Sequence, residues 1–367
     1  MASDTTRSNF GHVEKLGRSR YRVYWSERGS RQSTTVIGTR DEADTFLAVK
    51  KIELVGYDPT VRYAAFYEAV IKREFPSLAD NTVKEYEAVW SYLKPLIGNR
   101  RIASTSAREA ERLIRDAGAP SRQRKVLRFW RKMCNRACHE RIIQYKPIDK
   151  FIRADAVRRR QKRLVEPYEI DEWMRRIRGI KYEALLLCEL GGGLSPEEAC
   201  ALRKELITRL EYRGKTYALV VVRMALTSAS GKKVLKDPKN GFRTREIVIG
   251  QPFAERILEL TAGDGPIVPS GKQATEEHSE AEYTNPVTIT HNWKSWCERN
   301  GLFYVSQGNM RSSFATLHGE AMSPDSVVSG AMGHADSTTK GRHYQRVTRR
   351  SLIKIADSLE QYLAELY

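Results

Sequence analysis

The sequence lacks any run of apolar residues approaching the ~18–20 needed to cross a bilayer. Its first residues, MASDTTRSNF, also lack the apolar stretch of a signal peptide. Cysteines are few and odd in number, and none forms a close CxxC pair; they are Cys134, Cys138, Cys188, Cys200 and Cys297. This usage is typical of reduced thiols rather than of a disulfide framework or a zinc ribbon. These absences argue against membrane and secreted proteins, and we expect a cytoplasmic, nucleoid-associated protein.

Two of the cysteines raise one alternative. Cys134, Cys138 and His139 stand close together in a predicted helix and could suggest a metal site. No second pair of ligands lies nearby, so buried core thiols explain the spacing better. We therefore expect no metal and no cofactor.

The positive charge is unevenly distributed along the chain. The 367 residues carry a net charge of +18, and their length predicts two or three domains. Residues 101–163 contain twenty basic and six acidic side chains, whereas residues 164–367 have a net charge of only +1. Such a concentration indicates a surface that neutralises nucleic-acid phosphates. A solvated helix face and an acidic membrane surface are the weaker alternatives.

Residues 1–57 form the first predicted domain. Alternating stretches near residues 12–17, 21–27 and 32–38 predict a small antiparallel sheet. Thr39 and Glu42 have the spacing of a capping box, which predicts a helix through about Leu54. Arg22 lies among the aromatic residues of this sheet and is a candidate DNA contact.

Residues 58–153 form the second predicted domain, with amphipathic helices at 61–74, 81–97, 106–117 and 121–141. Its chemistry is basic charge, and the sequence continues into a basic linker at 154–167. The candidate phosphate contacts of the two segments are Arg122, Arg124, Lys125, Arg128, Arg153, Arg158, Arg159, Arg160, Lys162 and Arg163.

Residues 168–367 form the third predicted domain, which mixes helices and strands. Helices are expected at 169–177, 181–190, from about 196, and at 351–366, and strands at 216–223 and 245–249; the remainder is expected to be largely helical. The fold class is therefore α+β and multidomain. The apolar stripe of the last helix fits two interpretations equally well, docking on a neighbouring copy or packing on its own domain.

Four segments of the third domain resemble the motifs of tyrosine recombinases, the phage-type integrases. They are LGGGLSPEEACAL (190–202), LKDPKNGFRTREIVI (235–249), NMRSSFATLHGE (309–320) and MGHADSTTKGRHYQR (332–346). The resemblance covers nearly the whole chain. It implies an arm-type DNA-binding domain at 1–57, a helical core-binding domain at 58–153 and a catalytic domain at 168–367.

The resemblance also implies catalytic roles. Tyr344 would be the nucleophile, ten residues after His334, where the family usually has nine. Arg311 would clamp the phosphate, Lys239 would protonate the leaving 5′-oxygen, and His334 would hydrogen-bond the phosphate. Lys232, Lys233 and Lys236 are the alternatives to Lys239 for this role.

Three positions depart from the family pattern, and one of them is Ser312, which replaces a frequent histidine just after Arg311. Ser195 stands where the family has its first arginine, and Gly308 stands where it has a histidine, three residues before Arg311. Ser195, followed by Pro196 and Glu198, has the pattern of a helix start. Loss of one preorganised donor of this kind typically costs ~10²–10³ in rate.

The resemblance thus implies a site-specific recombinase of a mobile element or prophage. It would cut and rejoin double-stranded DNA at attachment sites, as a homo-tetramer on paired sites, with possible accessory DNA-bending or directionality proteins. The alternative suggested by Ser195 and Gly308 is a weakened or inactive recombinase-fold protein that binds DNA as a regulator or architectural factor. A basic RNA-binding or structural protein is a remote third hypothesis.

Overall fold

The computed structural model describes residues 10–27, 30–55, 60–156, 161–229, 231–237, 244–334 and 347–366. The chain divides into two compact units, Met1–Arg159 and Arg160–Tyr367. Each helix in the described ranges is too short or too polar to span a lipid bilayer.

The first unit begins with a three-stranded antiparallel sheet in the order β1-β2-β3. Its strands are β1 (Gly11–Gly17), β2 (Arg20–Glu27) and β3 (Ser30–Ile37), and helix α1 (Arg40–Val55) packs against them. Tyr21 and Val23 are buried on one face of β2, and the strand alternation leaves Arg22 exposed on the other. The predicted capping box at the start of α1 is present: Thr39 N donates to Glu42 Oε2 at 2.7 Å, and Glu42 N donates to Thr39 Oγ1 at 3.3 Å.

The helix predicted over residues 61–74 is not a single regular helix. It consists of α2 (Tyr63–Phe66), a π turn (Tyr67–Ile71) and a 3₁₀ turn (Lys72–Ser77). The tight last turn contains Pro76, which has no backbone N–H to continue an α-helical ladder. The π turn includes Tyr67, whose ring stacks on Trp90 with 4.4 Å between centroids.

The other three helices predicted in the first unit are present, as α3 (Asp80–Ile97), α4 (Ala107–Arg115) and α5 (Pro120–His139). Trp130 Nε1 donates to the Tyr63 hydroxyl at 2.9 Å, which joins α5 to α2 in the core. Cys134 is buried beside them, and burial raises the pKa of its thiol to about 12. No cluster of His, Cys, Asp and Glu in the described ranges is arranged to hold a metal ion.

The second unit contains eight described helices: α6 (Ile170–Ile177), α7 (Glu183–Gly192), α8 (Pro196–Cys200), α9 (Ala254–Leu260), α10 (Pro286–Asn300), α11 (Gln307–Glu320), α12 (Asp325–Ala331) and α13 (Arg349–Ala364). All ten residues of α7 are buried, so α7 is the central helix of this unit. Leu352, Ile355 and Leu359 of α13 are buried in the cores of the same unit. The apolar stripe of the last helix therefore packs on its own domain.

The strands of this unit form two sheets, β4-β5-β8 and the hairpin β6-β7. They are β4 (Ile207–Tyr212), β5 (Lys215–Val222), β6 (Ala225–Ala229), β7 (Lys232–Lys236) and β8 (Arg245–Ile249). β5 and β8 lie where the sequence predicted them. The expectation that the remainder is helical was wrong for β4, β6 and β7, because these short polar strands depend on pairing with their neighbours more than on local periodicity.

Candidate active site

The turn after α7 positions the first side of the site. Gly193 ends α7 with φ of +64°, a left-handed conformation, and a Cβ at this position would lie 2.5 Å from Phe314. Both the conformation and the close approach require glycine. The carbonyl oxygen of Gly193 accepts a hydrogen bond from Arg311 Nη1 at 2.7 Å. The turn therefore contributes a backbone acceptor that orients the predicted phosphate clamp.

Ser195 is the N-cap of α8, as the sequence predicted. Glu198 N donates to Ser195 Oγ at 3.4 Å, and Ser195 N donates to Glu198 Oε2 at 2.8 Å. Pro196 occupies the first position of the helix, and Ser195 is buried. The side chain at the position of the missing arginine thus has a structural role in helix capping.

Arg311 lies buried on α11 and is held on several sides. In addition to Gly193, its guanidinium donates to the carbonyl oxygen of Met332 and contacts Glu198 Oε2 at 3.4 Å. His334 Nε2 lies 3.1 Å from Arg311 Nη2. A guanidinium can only donate, so His334 Nε2 is the acceptor in this hydrogen bond. The structure therefore brings together two of the four predicted catalytic residues.

Arg245 is a member of this cluster that the sequence analysis missed as a site residue. Its guanidinium binds Glu198 at two points, Nη1 to Oε1 at 3.0 Å and Nη2 to Oε2 at 3.1 Å, and its Nε donates to the carbonyl oxygen of Ala331. The signal was available in the strand pattern. Arg245 lies on the same face of the strand as Ile247 and Ile249, which are buried, so its side chain is directed inward.

Glu198 connects the two arginines. Its side chain is 0% exposed. Burial alone would raise the pKa of this carboxyl, but Arg245, the backbone N–H of Ser195 and Arg311 together lower it below the usual value. The carboxylate is therefore ionised and carries one negative charge between two guanidiniums. Among the described residues, two guanidiniums and one carboxylate leave the cluster with a net positive charge, which suits it to a phosphate group.

Gly308 lies in the first turn of α11, one turn before Arg311, and is exposed. A Cβ placed on it would have no heavy atom within 4 Å. The backbone therefore leaves space at the position where the family has its histidine.

Several predicted site residues lie outside the described ranges. They are Tyr344, Lys239, Arg158, Arg159 and Arg160. Their roles stay predictions. Arg203 and Arg209, the first arginines after Ser195 in the chain, pair with Glu205 and Glu282 and with Glu211, respectively.

The predicted phosphate contacts of the first unit are exposed. Arg122, Arg124, Lys125 and Arg128 lie on the exposed side of α5, and Arg153 is exposed after it. Lys125 and Arg128 both pair with Glu85, whose pKa burial would raise but these two cations lower. A cleft of about 440 Å³ on this helix is lined by Arg124, Leu127, Arg128, Arg131, Lys132 and Asn135. The helix therefore presents a basic surface that is partly neutralised at Glu85.

Two of the linker's predicted phosphate contacts, Lys162 and Arg163, lie in the described ranges and belong to the second unit. Lys162 Nζ donates to Ser312 Oγ at 3.1 Å. Arg163 stacks over the ring of Phe303, 3.8 Å from its centroid, and pairs with Glu169. Arg163 is therefore engaged with protein groups, whereas Lys162 is exposed beside α11.

Comparison with known proteins identifies the fold. No protein-family profile and no curated protein sequence matches the chain. Among solved structures, the integrase of transposon Tn1549 in complex with a circular intermediate DNA is 17% identical with a TM-score of 0.59, and the match covers 83% of this chain and 99% of that one. A lambda integrase dimer bound to a COC′ core site is 14% identical with a TM-score of 0.51, over 95% of this chain and 100% of that one.

A lambda integrase tetramer bound to a Holliday junction is 13% identical with a TM-score of 0.51, over 92% of this chain and 98% of that one. The chain has the fold of these phage-type integrases. The prediction of an α+β fold of tyrosine-recombinase type is confirmed.

Proposed function

We propose that the chain is a site-specific DNA recombinase that cuts and rejoins DNA through a 3′-phosphotyrosine at Tyr344. The observation that carries the proposal is the cluster in which Glu198 holds Arg311 beside His334. This buried cationic site occurs in the fold of integrases whose structures contain DNA. A metal-independent phosphoryl transfer needs such a site, because charge develops on the phosphate oxygens as the nucleophile attacks.

The proposed reaction conserves the phosphodiester's bond energy. The Tyr344 hydroxyl gives its proton to water and its oxygen attacks the scissile phosphorus, the bond from phosphorus to the 5′-oxygen breaks, and Lys239 gives the leaving 5′-oxygen a proton. Arg311 places its positive charge beside the non-bridging oxygens, and His334 would hydrogen-bond the phosphate. Attack by a second 5′-hydroxyl on the phosphotyrosine reverses these steps and rejoins the strands.

The proposal extends to domains and partners. Residues 1–57 would bind arm-type sites, 58–153 and the linker 154–167 would bind the core site, and 168–367 would carry catalysis. The substrate would be double-stranded attachment-site DNA in the nucleoid, bound by a homo-tetramer on paired sites. Accessory DNA-bending or directionality proteins would assist. The tetramer of lambda integrase on a Holliday junction supports the assembly part of the proposal.

A second candidate function is favoured by Ser195. Its buried hydroxyl is engaged in a capping box, so the first arginine of the family has no direct substitute at that position. A chain that binds DNA and forms no covalent bond would be a regulator or architectural protein.

One experiment separates the two functions. A duplex is selected from a random library by its affinity for the wild-type chain, and nicked versions of it serve as suicide substrates that trap a covalent intermediate. We expect a covalent adduct with the wild type and with the control Tyr362→Phe. This control removes a tyrosine hydroxyl that donates a hydrogen bond to Glu320. We expect none with Tyr344→Phe. Tight binding without an adduct in the wild type would establish the second function instead.

A further inference from the structure

The linker segment from Lys162 to Val165 lies along the N-terminal half of α11. Asn309 Nδ2 donates to the carbonyl oxygen of Arg163 at 3.3 Å, and Val165 N donates to Ser313 Oγ at 3.0 Å. Val165 is also buried. The backbone on the C-terminal side of Lys162 is therefore fixed on the helix that carries Arg311.

This anchoring places the ammonium of Lys162 beside the site. Lys162 Nζ donates to Ser312 Oγ at 3.1 Å, and Ser312 Oγ donates to the carbonyl oxygen of Gly308 at 3.2 Å. The two bonds are compatible because a hydroxyl can donate one hydrogen bond while it accepts another. Through Ser312 the lysine contacts the part of α11 that also carries Gly308 and Arg311.

The neighbouring space is open. On a helix, position 308 faces positions 311 and 312, one turn later. Gly308 has no side chain, and a Cβ there would meet nothing within 4 Å. The cation of Lys162 is thus next to the space that a histidine would fill in the family.

We propose that Lys162 contacts the DNA phosphate held by Arg311 and provides a cation at a site that lacks the family's first arginine and this histidine. The inference rests on the proposed function and adds to it a phosphate-binding residue from the linker. Lysine suits the role because its ammonium is a compact charge with three donors, of which Ser312 occupies one.

The test measures which phosphate each cation contacts, and it does not require cleavage. Single neutral methylphosphonates are placed in turn along the selected duplex, and binding is measured by fluorescence anisotropy for the wild type, Lys162→Met and Arg311→Lys. In the wild type, neutralising the phosphate between these cations is expected to weaken binding about tenfold. In Lys162→Met, the same methylphosphonate is expected to weaken binding less than about threefold, because the coupled partner is gone.

The position of the effect decides the outcome. The proposal holds if the binding of Lys162→Met and of Arg311→Lys no longer responds to a methylphosphonate at one and the same phosphate position. The proposal is overturned if Lys162→Met shows the wild-type loss of affinity at every methylphosphonate position. It is also overturned if Lys162→Met and Arg311→Lys lose this sensitivity at different phosphates. If Arg311→Lys does not fold, His334→Ala replaces it as the marker of the site.

Two controls complete the design. Lys354→Met removes an exposed lysine on α13 and is expected to leave the whole methylphosphonate profile unchanged. Lys162→Arg is expected to restore most of the wild-type profile, because it returns a cation of similar reach. If the wild type binds DNA but forms no adduct, the proposed recombinase function is contradicted. The methylphosphonate profile still tests the role of Lys162, because it measures binding only.

Discussion

Arg245 and Glu198 form a buried two-point ion pair that joins the first residue of β8 to the first turn of α8. The two N–O distances are 3.0 and 3.1 Å, and the arginine side chain is only 8% exposed. The same carboxylate contacts Arg311. A substitution of Arg245 should therefore also affect Arg311, because both arginines contact the Glu198 carboxylate.

Arg245→Met is expected to lower both stability and catalysis. The substitution removes one of the two guanidiniums that hold the buried Glu198 carboxylate, and loss of one partner of a buried ion pair typically costs about 3–5 kcal/mol of unfolding free energy. At a temperature where the variant is folded, we expect the rate of adduct formation to fall about 10²-fold, because Arg311 loses the geometry that Glu198 gives it. Chemical denaturation and single-turnover trapping measure the two effects.

Arg256 provides the matched control for this experiment. It binds the buried carboxylate of Glu183 through Nε at 2.6 Å and Nη2 at 2.9 Å, in the same unit. Arg256→Met is expected to lose comparable stability with less than about a twofold change in adduct rate. Equal losses of rate in both variants would mean that Arg245 acts through stability alone.

The Arg245–Glu198 pair also predicts that the free energy of unfolding depends on pH. The pKa of Glu198 is lowered in the folded chain, so its stabilising contribution is present above the unfolded value near pH 4.5 and is lost as the pH falls below it. The stability difference between the wild type and Arg245→Met should therefore shrink as the pH falls below about 4.5. Urea titrations across this range measure it, and a constant difference down to pH 3 would contradict the assignment.

Gly308→His is expected to raise the rate of adduct formation about tenfold, because it adds a phosphate-directed hydrogen-bond donor to an open position. The exposed helical position should tolerate the side chain with little change in stability. Single-turnover trapping on the selected suicide duplex measures the gain.

Ser195→Arg is the instructive comparison for that variant. It restores the family's arginine but removes a capping box at a buried position, which costs about 1 kcal/mol before any strain. We expect a gain in rate together with a lower melting temperature. A gain from neither substitution would indicate that the missing groups do not limit the reaction.

Glu189→Gln is expected to stabilise the chain, and more so at higher pH. Glu189 is fully buried; Gln307 Nε2 donates to its Oε1 at 2.9 Å, and its Oε2 has no hydrogen-bond partner in the described ranges. Burial raises the pKa of this carboxyl well above its usual value. The folded state therefore binds a proton that the unfolded state releases, and wild-type stability falls as the pH rises above about 4.5.

The measurement compares the unfolding free energies of the wild type and Glu189→Gln, from chemical denaturation between pH 4 and pH 8. The advantage of the variant should be small at pH 4 and grow to about 1–3 kcal/mol at pH 8. Glu255→Gln, at an exposed position on α9, makes the same chemical change and should show no such trend. A pH-independent difference for Glu189→Gln would contradict the raised pKa.

DNA affinity should fall steeply with salt, and the linker should account for part of that slope. Replacing Arg158, Arg159 and Arg160 with Gln is expected to reduce the slope of log affinity against log salt by up to about 3, roughly 0.9 for each lost phosphate contact. Replacing Arg175, Arg178 and Lys181 with Gln removes the same charge from three exposed positions of the second unit and should leave the slope nearly unchanged. Equal slopes in all three proteins would place the linker away from the DNA.

The local features of the chain were predictable because they depend on neighbours in sequence. The capping boxes at Thr39 and Ser195, the start of α5 and the strand β8 all follow from residue types at short spacing. The order of the motifs predicted the integrase fold. The charge of residues 101–163 predicted a basic surface on α5.

The sequence by itself determined the fold class, the helix starts and the location of the excess charge. The tertiary structure decided which side chains meet. Glu198 lies 47 residues from Arg245 and 113 from Arg311, and Lys162 lies 150 residues from Ser312. Periodicity and capping act over a few residues, whereas these contacts exist only after α8, β8 and α11 pack around one buried carboxylate.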